Sequence, residues 1–151
     1  EQTIMTSKNF LSLGVIAIAL SLSACSAMKT SNTMALSAKL SGANEVPATA
    51  SAGTGMVDAK LDKSTNVLTW TVTYAGLSGP VKAGHFHGPA TAGTNAGVAL
   101  GFSGSVESPI KGSATLTATQ AAEVMAGKWY VNLHTAANPG GEVRGQVTPA
   151  P

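Results

Sequence analysis

Three histidines are the residues of this sequence whose types and spacing could do chemistry. His85 and His87 are separated by one residue in Gly84-His85-Phe86-His87-Gly88, and His134 lies at the end of the segment 129–134. Residues two apart on a strand project to the same face, about 7 Å apart along the chain, so two imidazoles can converge on one ion. Phe86 would then point the other way, into the core.

His134 lies off the apolar face of its own strand. Apolar and polar side chains alternate there: Trp129, Val131 and Leu133 on one face, Tyr130, Asn132 and His134 on the other. If the two histidine strands are neighbours, three imidazoles meet and leave a position open, which predicts a transition-metal site with copper favoured over zinc. The alternative is a surface pair unrelated to His134, since His-x-His is a common motif.

A single arginine follows the third histidine. Arg144 lies in Gly140-Gly141-Glu142-Val143-Arg144, where the two glycines allow a tight turn into a strand. One interpretation pairs Arg144 with Glu142 at the surface, where an ion pair stabilises little. The other makes it a cationic fork beside the histidines that attracts an anion.

The elements that must position these residues are strands. Short period-two runs separated by Gly, Pro and Asn indicate an all-β, Greek-key antiparallel sandwich. One exception, 117–126, has a capping-box pattern at Thr117 and Gln120 and a Gly at its end, which predicts one short helix. Strands are predicted near 36–42, 54–61, 67–74, 81–87, 97–103, 111–117, 128–134 and 142–148.

Composition limits the function classes. The 151 residues include nine Lys and Arg, seven Asp and Glu, and one Cys, for a net charge of +2. With no basic run, nothing indicates a nucleic-acid partner. A single cysteine excludes an intramolecular disulfide and a multi-cysteine metal site. The length suits one domain, which we place at 36–148.

The N-terminal segment is typical of an export signal. Lys8 precedes a largely apolar run over 10–22, too short to span a bilayer, and Leu22-Ser23-Ala24-Cys25 follows. These residues resemble the lipobox of bacterial lipoproteins, which implies cleavage before Cys25 and acylation of its thiol. We therefore expect an upstream remnant and signal peptide over 1–24, a flexible tether over 25–35, and a lipid anchor in the membrane. Ser26, rather than Asp, after the cysteine resembles lipoproteins that are sent on to the outer membrane, which implies a location at the outer membrane and periplasm.

Four ordered blocks resemble the CHRD domain, named for chordin, over about 36–148. They are Leu40-Ser41-Gly42-Ala43-Asn44-Glu45-Val46-Pro47, Gly84-His85-Phe86-His87-Gly88-Pro89-Ala90, Trp129-Tyr130-Val131-Asn132-Leu133-His134-Thr135 and Asn138-Pro139-Gly140-Gly141-Glu142-Val143-Arg144-Gly145-Gln146. The resemblance implies an extracytoplasmic all-β module found in bacterial exported proteins and in animal regulators of growth-factor signalling. It implies no settled biochemical activity.

The order of His-x-His, a later His and a Gly-rich loop leading to an Arg is also similar to copper/zinc superoxide dismutases. That resemblance implies copper ligands at His85, His87 and His134 and an anion-guiding Arg144, but the bridging histidine, the zinc-binding acids and the disulfide are missing. The favoured function is an exported lipoprotein that binds copper in envelope copper handling or protection. A metal-free adhesion or protein-interaction module is the alternative, and a dismutase-like enzyme is third.

Overall fold

The computed structural model describes Thr3 and residues 32–151. The predicted all-β class is confirmed, with eight strands and one α-helix, and each predicted strand and the helix is present within a few residues of its expected position. Apart from Thr3, residues 1–31 lie outside the described residues, and with them the predicted signal peptide, Cys25 and most of the predicted tether. The elements are β1 (Thr33–Ser41), β2 (Thr54–Asp62), β3 (Val67–Ala75), β4 (Val81–His87), β5 (Val98–Gly101), β6 (Ile110–Thr115), α1 (Ala118–Met125), β7 (Trp129–Thr135) and β8 (Val143–Pro149).

All eight strands join in one curled antiparallel sheet, in the order β5-β4-β7-β8-β1-β2-β3-β6. The two layers of the predicted sandwich are the two halves of this sheet, joined where β8 pairs with β1. The halves face each other across the core, because Trp70 of β3 packs edge-on against Phe86 of β4 with ring centroids 5.3 Å apart. The connections from β3 to β4, β5 to β6 and β6 to β7 all cross between the halves.

The period-two alternation of β3 places Leu68, Trp70 and Val72 in the core. Each fully buried side chain of this size stabilises the fold by about 1.5–3 kcal/mol. β1 begins at Thr33, which pairs with Asp62 at the end of the antiparallel strand β2. The first strand therefore starts three residues before the predicted domain boundary at residue 36.

α1 connects β6 to β7 and is capped as the sequence predicts. The Thr117 hydroxyl accepts a hydrogen bond from the Gln120 backbone N–H, and the Gln120 side chain accepts one from the Thr117 N–H. Gly127, at φ +67°, follows the helix and allows the chain to turn into β7. The helix thereby fixes the start of the strand that carries His134.

The outer face of β4, β7 and β8 is covered, unlike the solvent-exposed outer face of an ordinary strand. Tyr130, Asn132 and Arg144 point away from the core, yet each is at most 4% exposed. The loop between β4 and β5 contacts Tyr130 and Arg144 from outside. This covered outer face is where the histidines lie.

Candidate metal centre

Strand pairing brings the three histidines together. β4 and β7 are antiparallel neighbours, and their register places His85 opposite Asn132, His87 opposite Tyr130 and His134 opposite Ala83. One ring nitrogen from each histidine lies within 4.8 Å of the others. Phe86 points into the core, as predicted. Three neutral imidazoles with nitrogens this close can share one metal ion.

Backbone carbonyls fix the protonation of two of the rings. His87 Nδ1 lies 3.0 Å from the Ala96 carbonyl oxygen, and His134 Nδ1 lies 2.9 Å from the Pro139 carbonyl oxygen. Since a carbonyl only accepts, each Nδ1 carries the proton and each Nε2 keeps its lone pair in the neutral ring. This is the usual arrangement around histidines that bind metals.

His87 Nε2 is the atom that most clearly fits a metal. It is buried, and among residues 32–151 it has no hydrogen-bond partner. A buried nitrogen lone pair without a donor costs free energy, and a cation between the three rings removes that cost.

The third ring completes the cluster. His85 Nδ1 lies 3.1 Å from His134 Nε2. Burial, then the neighbouring His134 and His87, lowers the pKa of His85. Burial also lowers the pKa of His134, although the Pro139 carbonyl opposes this effect. At neutral pH both rings are therefore neutral and able to act as ligands.

Tyr130 and Arg144 form the wall behind His87. The Tyr130 ring stacks parallel to the His87 ring at 4.9 Å, and the Arg144 guanidinium carbon lies 3.4 Å from the Tyr130 ring centre. Arg144 donates to Asn95 Oδ1 at 2.8 Å and to the Thr94 carbonyl. The interpretation of Arg144 as a surface partner of Glu142 is wrong, because its guanidinium is buried and binds the β4–β5 loop. Its anion-guiding role stays a prediction.

Glu142 is a buried hydrogen-bond acceptor beside the turn between β7 and β8, a role that the sequence did not indicate. Its carboxylate accepts from Ser51, from the backbone N–H and hydroxyl of Ser78, and from Thr135, at 2.5–2.7 Å. Burial alone would raise the pKa of Glu142, but these hydrogen bonds outweigh it and lower the pKa to about 2. Glu142 thus ties the turn that supplies the Pro139 carbonyl to two distant segments.

Asn132 and Glu45 also reach the site without being predicted as site residues. Asn132 Oδ1 lies 2.9 Å from His134 Nε2, and Glu45 is buried behind Asn132. The period-two pattern could have identified Asn132, which shares a face with His134. Glu45 comes from the segment after β1, so only the tertiary structure shows its position.

The comparisons with known proteins identify the family. None of the helices in the described residues is long and apolar enough to cross a bilayer. No curated protein and no solved structure matches the chain. A family model described as CHRD domain matches residues 36–147, which is most of the chain and includes all three histidines and Arg144. The chain therefore belongs to the CHRD domain family.

Proposed function

We propose that this CHRD protein binds one transition-metal ion, with copper preferred over zinc, through His85, His87 and His134. The observation that supports the proposal best is the buried His87 Nε2, which has no donor within the described part of the chain while its Nδ1 proton is held by Ala96. Imidazole sites bind Cu(II) more tightly than Zn(II) because divalent affinities follow the Irving–Williams order.

The biological role that we propose is copper handling or protection at the cell envelope. Its support is the export-type segment before Cys25, the CHRD family match and the three clustered imidazoles. We favour a metal-binding role over a catalytic one. Arg144, the cation that would guide an anion to a catalytic metal, is buried and donates to the covering loop.

Titration of the metal-free protein, made without a histidine tag, tests the proposal. We expect one Cu(II) per chain, and loss of that binding in the double variant His85→Ala/His87→Ala. The chain has three histidines in all, so imidazole couplings in the pulsed electron paramagnetic resonance spectrum arise from this cluster. Lys82→Ala, an exposed change on the same strand, is the matched control and should bind like the wild type.

Affinity that is unchanged in the double variant, or a copper spectrum without imidazole nitrogen couplings, would contradict the proposed site. Competition with zinc tests the order of preference. The two ions compete for the same nitrogens. Copper should displace zinc at equal concentrations because imidazole sites bind Cu(II) more tightly.

A further inference from the structure

Asn132 lies beside His85 and His134 in the sheet. It is opposite His85 in the β4–β7 register and two residues before His134 on the same strand face. Its side chain is 4% exposed, and its Oδ1 lies 2.9 Å from His134 Nε2. The amide oxygen is therefore as close to His134 Nε2 as His85 Nδ1 is, at 3.1 Å.

Asn132 Oδ1 and His134 Nε2 are both acceptors when the His134 ring is neutral. The Pro139 carbonyl holds the proton of that ring on Nδ1, so Nε2 presents a lone pair to an oxygen that presents another. His85 Nδ1 can donate one proton into this space, which satisfies only one of the two acceptors at a time. A cation placed between the three atoms satisfies all of them.

Glu45 determines which end of the Asn132 amide faces the histidines. The position that a Cβ would take on Gly141 is 2.5 Å from Glu45 Oε1 and 2.7 Å from Asn132 Nδ2, so the carboxylate and the amide nitrogen approach each other over this glycine. At least one oxygen of a carboxyl group carries no proton in either protonation state, so Glu45 can accept from the Asn132 NH₂. This leaves Asn132 Oδ1 facing His134 Nε2.

This orientation does not depend on an ideal hydrogen bond. Glu45 Oε1 has no partner in strict hydrogen-bond geometry among the described residues. The reversed amide would place its oxygen against a Glu45 oxygen in a buried space, which costs more free energy than a long donor–acceptor contact.

From this placement we infer that Asn132 is a fourth protein ligand, giving a site of three imidazole nitrogens and one amide oxygen that prefers the divalent ion over Cu(I). This inference rests on the proposed metal site and deepens it. Oxygen donors suit harder ions, whereas Cu(I) is selected by sulfur ligands. Removing the oxygen should therefore weaken Cu(II) binding while leaving Cu(I) binding to the imidazoles.

Competition titrations with chelators, carried out with Cu(II) and with Cu(I) under reducing anaerobic conditions, test the inference on the variant Asn132→Ala. We expect Cu(II) affinity to fall by about tenfold or more, with Cu(I) affinity within about twofold of wild type. The Cu(II) paramagnetic resonance parameters should also change. Asn44→Ala, an exposed asparagine outside the cluster, is the matched control and should change neither affinity.

The double variant Asn132→Asp/Glu45→Gln keeps an oxygen at the same position and an amide NH₂ between the two side chains, and we expect it to restore Cu(II) binding at least to the wild-type level. If Asn132→Ala weakens both oxidation states equally, or neither, Asn132 is not a ligand. In that case the proposed three-histidine site still stands, provided the wild type binds one copper. A wild type that binds no copper would overturn both proposals.

Discussion

At the scale of single residues, Arg144 holds the β4–β5 loop over the histidine cluster. Its guanidinium binds Asn95 and the Thr94 carbonyl while it lies against the Tyr130 ring, and Tyr130 in turn stacks on His87. A guanidinium can do this because it is planar and offers several donors in fixed directions. The loop therefore depends on one side chain, and a lysine at this position could not make the same hydrogen bonds.

We predict that Arg144→Lys destabilises the metal-free protein by about 2–3 kcal/mol, since two hydrogen bonds from a charged donor are lost or weakened. Denaturant unfolding measures this change. Superoxide turnover by the copper-loaded variant should stay at the level of free copper complexes, as in the wild type. Lys82→Ala serves as the control for loss of an exposed cation. Fast wild-type turnover that drops sharply in Arg144→Lys would favour the enzyme function instead.

Glu142 makes the fold sensitive to acid. Its folded pKa of about 2 lies below its ordinary value of 4.5, so the unfolded chain takes up the proton more readily. The stability that this group contributes is complete above about pH 4.5 and is lost as the pH falls through about 2. Glu45 acts in the opposite direction, because its raised pKa of about 6 removes stability as the pH rises from 4.5 to 6.

We predict that Glu142→Gln costs roughly 1–3 kcal/mol at pH 7, because its amide NH₂ must face buried donors. The difference in unfolding free energy between wild type and variant should shrink as the pH falls from about 4.5 toward 2. Denaturant unfolding at several pH values measures it. A difference that is constant over this range would show that the Glu142 charge contributes nothing.

At the scale of elements, the Gly140-Gly141 turn connects β7 to β8 and has no room for a side chain at its second residue. Gly141 has φ +128°, and a Cβ there would clash with Glu45 and Asn132. We predict that Gly141→Ala destabilises the protein by roughly 1–3 kcal/mol and weakens copper binding by displacing Asn132.

Gly140→Ala is the matched control for the turn. A Cβ at Gly140 would meet no atom of the described residues within 4 Å, so this variant should unfold and bind copper like the wild type. Thermal unfolding and copper titration of the pair distinguish the two positions. Equal stability of both variants would contradict the close approach of Glu45 and Asn132.

The strands were predictable because each carries its own period-two pattern, and the same pattern placed His85 and His87 on one face. The position of His134 next to them depends on the pairing of β4 with β7, and local patterns do not specify which strands pair. Ser51 and Ser78 meet Glu142 across 91 and 64 residues of chain, so the sequence could not indicate that contact. The joining of both layers through β1 and β8 is likewise a property of the pairing alone.

At the scale of the whole molecule, the proposed lipid anchor is separate from the sheet. Cys25 precedes β1 by eight residues, so we predict that Cys25→Ser moves the protein from the detergent phase to the aqueous phase without changing its thermal unfolding. Phase partitioning of extracts from cells that express each form measures this. Wild-type protein found in the aqueous phase would contradict acylation of Cys25.

The pairing of β1 with β8 sets the distance between the histidine cluster and the point where the chain enters the sheet. Thr33 begins β1, whereas Ser41, at its far end, lies in the same row as Arg144, Asn132 and His85. Eight residues of strand separate the two levels by roughly 26 Å. If Cys25 is acylated as proposed, β1 acts as a spacer that allows the histidines to lie farther from the lipid surface than the start of the strand does. An ion in the surrounding fluid then has a path to the histidine cluster that does not cross the headgroups.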